Sequence, residues 1–171
     1  MKKFILALAA VLCLGLTACG QTQGNASTSG SAAEPIGKYT AVIDIADYGT
    51  ITLELDGDSA PLTVANFVKL AKDGFYDGLT FHRIMDGFMM QGGDPKGNGT
   101  GSSEETIPGE FSANGYDTPI SHTRGTISMA RASDPNSASS QFFICQADST
   151  VLDGNYAAFG HVTEGMDVVD A

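Results

Sequence analysis

Apolar and polar residues alternate along two stretches of this chain, Tyr39 to Ile45 and Ile51 to Leu55. A period of two puts one face of an extended chain against a core and the other toward water. Asp47-Tyr48-Gly49 separates the stretches with turn-forming residues, so the pair predicts a β-hairpin. The period then changes. Val64, Phe67, Val68 and Ala71 fall at i, i+3, i+4 and i+7, one apolar face of a helix packed on a sheet. Asp58 or Ser59 can cap that helix, Pro61 suits its first turn, and Gly74 can end it. Strand-like segments follow at Leu79 to Met85, Phe88 to Gln91, Thr126 to Arg131, Gln141 to Gln146 and Ala157 to Val162. A long, Gly-rich, polar connection runs from Gly92 to Gly125, the kind of loop that carries function or moves. Together these elements predict a mainly β fold: a closed or nearly closed antiparallel barrel with a helix over one opening.

The first 36 residues have a different character. Lys2 and Lys3 precede an apolar run from Phe4 to Leu14 that is short for a bilayer span, and Leu16-Thr17-Ala18-Cys19 then resembles a bacterial lipobox. This reading makes 1–18 a lipoprotein signal peptide and Cys19 the lipidated first residue of the mature chain. Residues 19–36, rich in Gln, Thr, Gly, Asn and Ser, are expected to be a flexible tether. The globular domain then covers 37–171, one domain's worth of chain. Its expected place is the cell membrane, lipid-anchored on the extracytoplasmic face.

The chain carries a net charge of −11, and removing Lys2 and Lys3 with the leader leaves about −13. That balance argues against nucleic-acid binding, which needs a basic footprint. His82, His122 and His161 are far apart and sit in no metal-ligand spacing, so no metal or other cofactor is expected. Gly97-Asn98-Gly99-Thr100-Gly101 lacks the Lys-Ser/Thr of a phosphate loop and reads as a turn-rich loop. Ser128 and Ser140 lack a nucleophile-elbow context, and no Ser-His-Asp set stands out. Asp86, Asp94 and Asp153 each adjoin glycine and read as turn residues. Cys145, in an apolar strand, reads as a small core residue.

One run resists a purely structural reading. Between Phe81 and Asp94, Arg83 and Gln91 stand among apolar residues where a buried strand tolerates neither. Both are therefore expected to line a cavity, with Phe81, Phe88 and Met89 as its apolar walls. An arginine in an apolar pocket suits a reaction that needs no nucleophile, rotation about an X-Pro bond. The barrier, roughly 18–20 kcal/mol, comes from amide resonance. A fixed, always-charged donor aimed at the proline nitrogen favours the twisted state, in which the nitrogen lone pair is localised.

The chain resembles the cyclophilin-type peptidyl-prolyl isomerases over about residues 38 to 171. The matching segments, in order, are Phe81-His82-Arg83, Gly87 through Asp94, Gly97 through Gly101, Ser128-Met129-Ala130, Ser140 through Ile144 and Leu152-Asp153-Gly154. The resemblance implies a cyclophilin-like antiparallel β-barrel with capping helices. It implies that Arg83 is the catalytic arginine and that Gln91 supports it and orients the peptide. Phe88, Met89, Phe143 and Leu152 match the proline pocket, and Ala130 and Gln141 the groove for residues before proline. His82 matches a pocket-edge position, and the backbone of Arg131 the place where the substrate main chain pairs.

Three positions depart from many eukaryotic members. Val151 stands for a tryptophan that contributes to cyclosporin-type inhibitor binding, Tyr156 for a histidine of the pocket rim, and Arg131 for a frequent asparagine. Tyrosine still offers a ring and a hydroxyl at the rim. Members of the family also continue beyond the equivalent of Val168-Val169-Asp170-Ala171 with a closing strand, so the C-terminal strand is expected to be missing from this sequence, as in a fragment. The activity expected is peptidyl-prolyl cis-trans isomerisation on proline-containing unfolded or exported polypeptides, by a monomer. A non-catalytic module that holds proline segments is the alternative, but a mere binder has no need of Arg83. A solute-binding lipoprotein would be a longer, two-lobed chain.

Overall fold

Ile51, Leu53 and Leu55 alternate with Thr52 and Glu54 along the second strand, and all three apolar side chains are fully buried. The computed structural model describes residues 37–171. The expected signal peptide, the tether and Cys19 lie outside the described residues. Among the described residues seven strands form one antiparallel sheet: β1 Lys38–Ile45, β2 Gly49–Asp56, β3 Arg83–Met85, β4 Met89–Gly92, β5 Thr126–Met129, β6 Phe142–Cys145 and β7 Ala158–Glu164. Their order across the sheet is β1-β2-β7-β5-β6-β4-β3, which leaves β1 and β3 as its two edges. The inward residues of β1 (Tyr39, Ala41, Ile43 and Ile45) are half-buried against the core that β2 completes.

Helix α1, Pro61–Lys72, lies over this core. It buries Thr63, Val64, Phe67 and Leu70. The expected stripe is thus turned slightly: Val68 is only half-buried and Ala71 faces solvent, because the bulkier Leu70 buries more apolar surface than Ala71. Phe67 sits in an aromatic cluster, with ring centroids of Tyr76, Phe142 and Phe159 at 5.1, 5.4 and 5.4 Å. Such contacts add to the area-based stabilisation of burying large rings.

Neither expected cap serves the helix start. Ser59 and the backbone of Asp58 are bound instead to the Asp56 carboxylate, and Ala60 occupies the cap position. The orphan N–H groups of Leu62 and Thr63 donate to Glu110, at 3.1 and 2.7 Å, as does the Thr63 hydroxyl at 2.7 Å. Glu110 is almost fully buried, and its charge is met by these donors and by the positive end of the helix. The helix ends as expected: Gly74 has φ +71°, a left-handed conformation that costs glycine little.

Strands β3 and β5 are shorter than their apolar runs. The Phe81 ring packs edge-on against Phe142, so the segment before Arg83 is held by side-chain contact and not by pairing. A short helix α2, Met166–Asp170, is fastened by two bonds from Arg124 to Asp170, at 2.8 and 2.7 Å. No helix of the described residues is long and apolar enough to cross a membrane.

The strand register separates two faces. Met90, Phe142 and Ile144 enter the main core, while Met89, Phe143 and Cys145 form a second, smaller apolar cluster on the opposite face. Phe88, Ala130, Leu152 and Tyr156 pack against that second cluster.

Candidate active site

Cross-strand pairing builds the site. Arg83 of β3 pairs with Gln91 of β4, Gln91 with Phe143 of β6, and Phe143 with Ser128 of β5. Directly opposed residues share a face of a sheet, so these four side chains form one row. Met85, Met89 and Cys145 form the next row on the same face. A cavity of about 240 Å³ lies over these rows. Met89, Phe143 and Phe88 give it apolar walls, Ala130, Leu152 and Tyr156 close its far side, and Arg83, Gln91 and Arg131 supply its polar groups. Of the residues expected at the site, the structure leaves Phe81, His82 and Gln141 out of this lining; Phe81 packs edge-on against Phe142 of the main core instead.

Arg83 is exposed and makes no ion pair among the described residues. Nη1 donates to Gln91 Oε1 at 3.3 Å and approaches Met89 Sδ at 4.0 Å, and Nη2 reaches Met85 Sδ at 2.9 Å. A thioether is a weak acceptor, so the guanidinium is held in place with its charge unneutralised. Gln91 turns its other end away: Nε2 donates to Gln141 Oε1 at 2.9 Å. Gln141 Nε2 donates in turn to the carbonyls of Gly101, at 2.7 Å, and Gly99, at 3.3 Å. One direction of hydrogen bonding thus runs from Arg83 through two amides to the Gly-rich loop.

That loop is built around Asp94, which is 1 % exposed. Its carboxylate accepts from the backbone N–H groups of Lys96, Asn98 and Gly99 and is bonded by that of Gly101. Burial alone would raise its pKa, but the four amides outweigh it and hold the carboxyl down at about 2. A Cβ at Gly101 would collide with Asp94 Oδ1, so only glycine admits this approach. The turn role expected for Asp94 is therefore a loop-organising one. His82 lies near Gly99 of the same loop, with both ring nitrogens buried and without a hydrogen-bond partner among the described residues.

The Phe143 wall is held from behind. His122 stacks on Phe143 with centroids 6.0 Å apart and planes at 17°. Its Nδ1 is 2.7 Å from Asp153 Oδ1 and its Nε2 2.9 Å from Ser128 Oγ. A carboxylate can only accept, so in the neutral ring Nδ1 carries the hydrogen and Nε2 accepts from Ser128. Burial works against the Asp153 charge, but bonds from Ser121 and His122 lower its pKa on balance. The absence of a Ser-His-Asp set expected from sequence is thus corrected: residues 122, 128 and 153 do converge, from a spacing that signals nothing. Ser128 and His122 are sealed, at 0 % and 1 % exposure, so the hydroxyl and the ring that a nucleophilic set would need are shut off from solvent, and the ring braces Phe143. Cys145 is also sealed; burial, then the Asp153 and Asp148 charges, push its thiol up to about 12, far from a reactive thiolate.

Tyr156 meets Phe143 edge-on at 5.9 Å, and the Arg131 guanidinium lies 4.9 Å from the Tyr156 ring centroid and 5.0 Å from that of Phe111. Leu152 comes from a short 3-10 turn, Thr150–Leu152, whose Val151 is 83 % exposed. A broader hollow of about 630 Å³ adjoins Arg124 and Asp148, but Arg124 is already committed to Asp170. No group of three metal-ligating side chains converges among the described residues.

The Asp94 shift sets a pH window. Its folded pKa, about 2, lies below the ordinary value of 3.8, so its stabilisation is complete above the ordinary carboxylate range and is lost as pH falls toward 2. Thermal melts of wild type and Asp94→Asn between pH 6 and pH 2 are expected to differ most at the upper end and to converge at the lower. A gap that stays constant with pH would contradict the role of the ionised carboxylate.

Known proteins resemble this chain in sequence and in fold. The family described as cyclophilin type peptidyl-prolyl cis-trans isomerase/CLD matches residues 40–171. A peptidyl-prolyl cis-trans isomerase of Synechococcus elongatus is 51 % identical over 116 residues, covering 68 % of this chain and 75 % of that one. One from Helicobacter pylori is 49 % identical over 124 residues, covering 71 % and 74 %. Among solved structures, a Cryptosporidium parvum cyclophilin type peptidyl-prolyl cis-trans isomerase, crystallised in the presence of the dipeptide Ala-Pro, superposes with a TM-score of 0.70. It is 31 % identical, with 77 % of this chain and 85 % of that one covered. An apolar pocket with a charged, unneutralised arginine at its mouth is thus found in a chain that belongs to the cyclophilin-type peptidyl-prolyl cis-trans isomerase family.

Proposed function

We propose that this isomerase seats the substrate proline against Met89, Phe88 and Phe143 and catalyses through Arg83. The observation that carries this reading is the guanidinium itself: charged, without a carboxylate partner among the described residues, and oriented by Gln91 at the edge of an apolar cavity. In the planar ground state the proline nitrogen shares its lone pair with the carbonyl and accepts poorly. As the bond twists, the pair localises and Arg83 gains an acceptor. A donor whose bond strengthens only in the twisted state lowers the barrier without stabilising either isomer. Gln91 also faces the peptide, and Gln141 and Ala130 lie along the groove for residues before the proline. Leu152 and Tyr156 close the rim, and the Arg131 backbone pairs with the substrate main chain. His82 acts only indirectly, near the loop. The Ala-Pro present with the Cryptosporidium relative supports proline-containing peptides as the ligand class.

A binding-only role finds no support in this arrangement, because gripping a proline ring requires apolar walls and not an unneutralised guanidinium. In an NMR exchange assay on an X-Pro peptide, Arg83→Ala is expected to lower kcat/KM by about 10²- to 10³-fold, the cost of losing a preorganised donor. Unchanged rates in a folded Arg83→Ala protein would refute the mechanism.

The same reading places the enzyme at the cell envelope as a monomer. Cleavage after Ala18 and lipid on Cys19 would tether the domain through residues 19–36, where it meets exported chains before they fold. The support is the basic-apolar leader and its Leu-Thr-Ala-Cys tetrad. Intact mass spectrometry of membrane-extracted protein is expected to show a chain that starts at Cys19 and carries diacylglycerol. An unlipidated N-terminus would contradict the anchor.

A further inference from the structure

Positive charge is scarce on this acidic chain and is placed unevenly. Lys38, Lys69 and Arg124 are paired with Glu54, Asp73 and Asp170. Lys72, Arg83, Lys96 and Arg131 have no carboxylate partner among the described residues, and of these Arg83 and Arg131 line the 240 Å³ pocket, whose lining contains no acidic residue. Arg131 stands where many eukaryotic members of the family have asparagine. Its guanidinium is held between the Phe111 and Tyr156 rings. Nε donates to the Asn155 carbonyl at 3.0 Å, and Nη1 to those of Ala132 and Ser133 at 3.0 and 3.4 Å. None of these neighbours carries a negative charge, and Nη2 has no acceptor among the described residues. Two fixed cations over apolar walls focus a positive field on whatever flanks the bound proline.

We propose that Arg131 is a specificity-determining residue, which makes this isomerase prefer proline segments carrying an acidic side chain next to the proline. The inference rests on the reading of this pocket as the proline seat. An Asp or Glu beside the proline meets Arg131 without displacing any existing ion pair, whereas a Lys or Arg there faces two like charges. The guanidinium is already ordered by its ring and carbonyl contacts, so less freedom is lost on pairing. The overall negative charge of the chain repels all acidic peptides alike, so the local contribution appears as a difference between Arg131 variants.

The test uses neutral-ended peptides with Glu, Gln or Lys immediately before or immediately after proline, followed by NMR exchange on the isolated protein. In at least one of the two positions, kcat/KM for Glu is expected to exceed that for Lys by roughly fivefold or more at low salt. The ratio should fall toward one at roughly 0.5 M salt, where the screening length is short. Arg131→Asn should abolish the preference, and Arg131→Lys, which keeps the charge, should retain part of it. Equal rates for Glu and Lys in both positions, or a preference that survives Arg131→Asn, would overturn the proposal. If Arg131→Asn does not fold, the salt titration of the wild type decides, and a preference insensitive to salt counts against it. The two readings fail separately. An Arg83→Ala protein with undiminished rate on the Gln peptide refutes the pocket, whereas an inactive one beside equal wild-type rates for Glu and Lys refutes only the role of Arg131.

Discussion

The register of β3, β4, β6 and β5 is the constraint on which the rest of the site depends. It sets Arg83, Gln91, Phe143 and Ser128 side by side on one face. A slip of one residue would exchange the two faces, bringing Met90, Ile144 and Phe142 to the pocket and sending Phe143 and Met89 inward. The slip is opposed from both sides, because Phe142 is locked edge-on against Phe67 and Tyr76 while Phe143 is stacked on His122. The core that stabilises the fold therefore also fixes the register of the proposed site. An arginine at the exposed edge of the sheet gains a defined position from buried strands two and three places away.

Around that row, polar bonding runs outward in one direction. Arg83 donates to Gln91, Gln91 to Gln141, and Gln141 to a loop whose own amides converge on Asp94. Each amide in the chain uses its carbonyl on one side and its amine on the other, which leaves one self-consistent orientation for both. Catalysis of a rotation forms no covalent intermediate, so the enzyme contributes position and field, and both must exist before the substrate arrives. The Asp153-His122-Ser128 line performs the matching task for the apolar wall, holding the Phe143 ring from behind.

Much of this was legible in the chain and some of it had no sequence signal. The hairpin, helix α1 and its Gly74 stop follow from local periodicity and glycine. Arg83 and Gln91 stand out because apolar surroundings make a charge and an amide conspicuous, and both do line the cavity; their roles are implied by the ordered family segments. The helix cap was missed because Glu110 lies 47 residues from Thr63 and reaches it only through the tertiary fold. Ser128, His122 and Asp153 were missed for the same reason. The segment from Leu79 to His82 looked like strand because its apolar residues fit either pairing or packing, and here Phe81 packs. Asp94 beside glycine predicted a turn; that the turn supports the amide chain to Arg83 required knowing where Gln141 lies.

Under the proposed mechanism Gln91 contributes to catalysis by positioning Arg83 through their cross-strand pairing. A double-mutant cycle on kcat/KM measures this directly. The account predicts that Gln91→Ala lowers the rate about tenfold in the wild type and by less than about twofold when Arg83 is already alanine. Equal losses in the two backgrounds would show that the residues act independently and would contradict it.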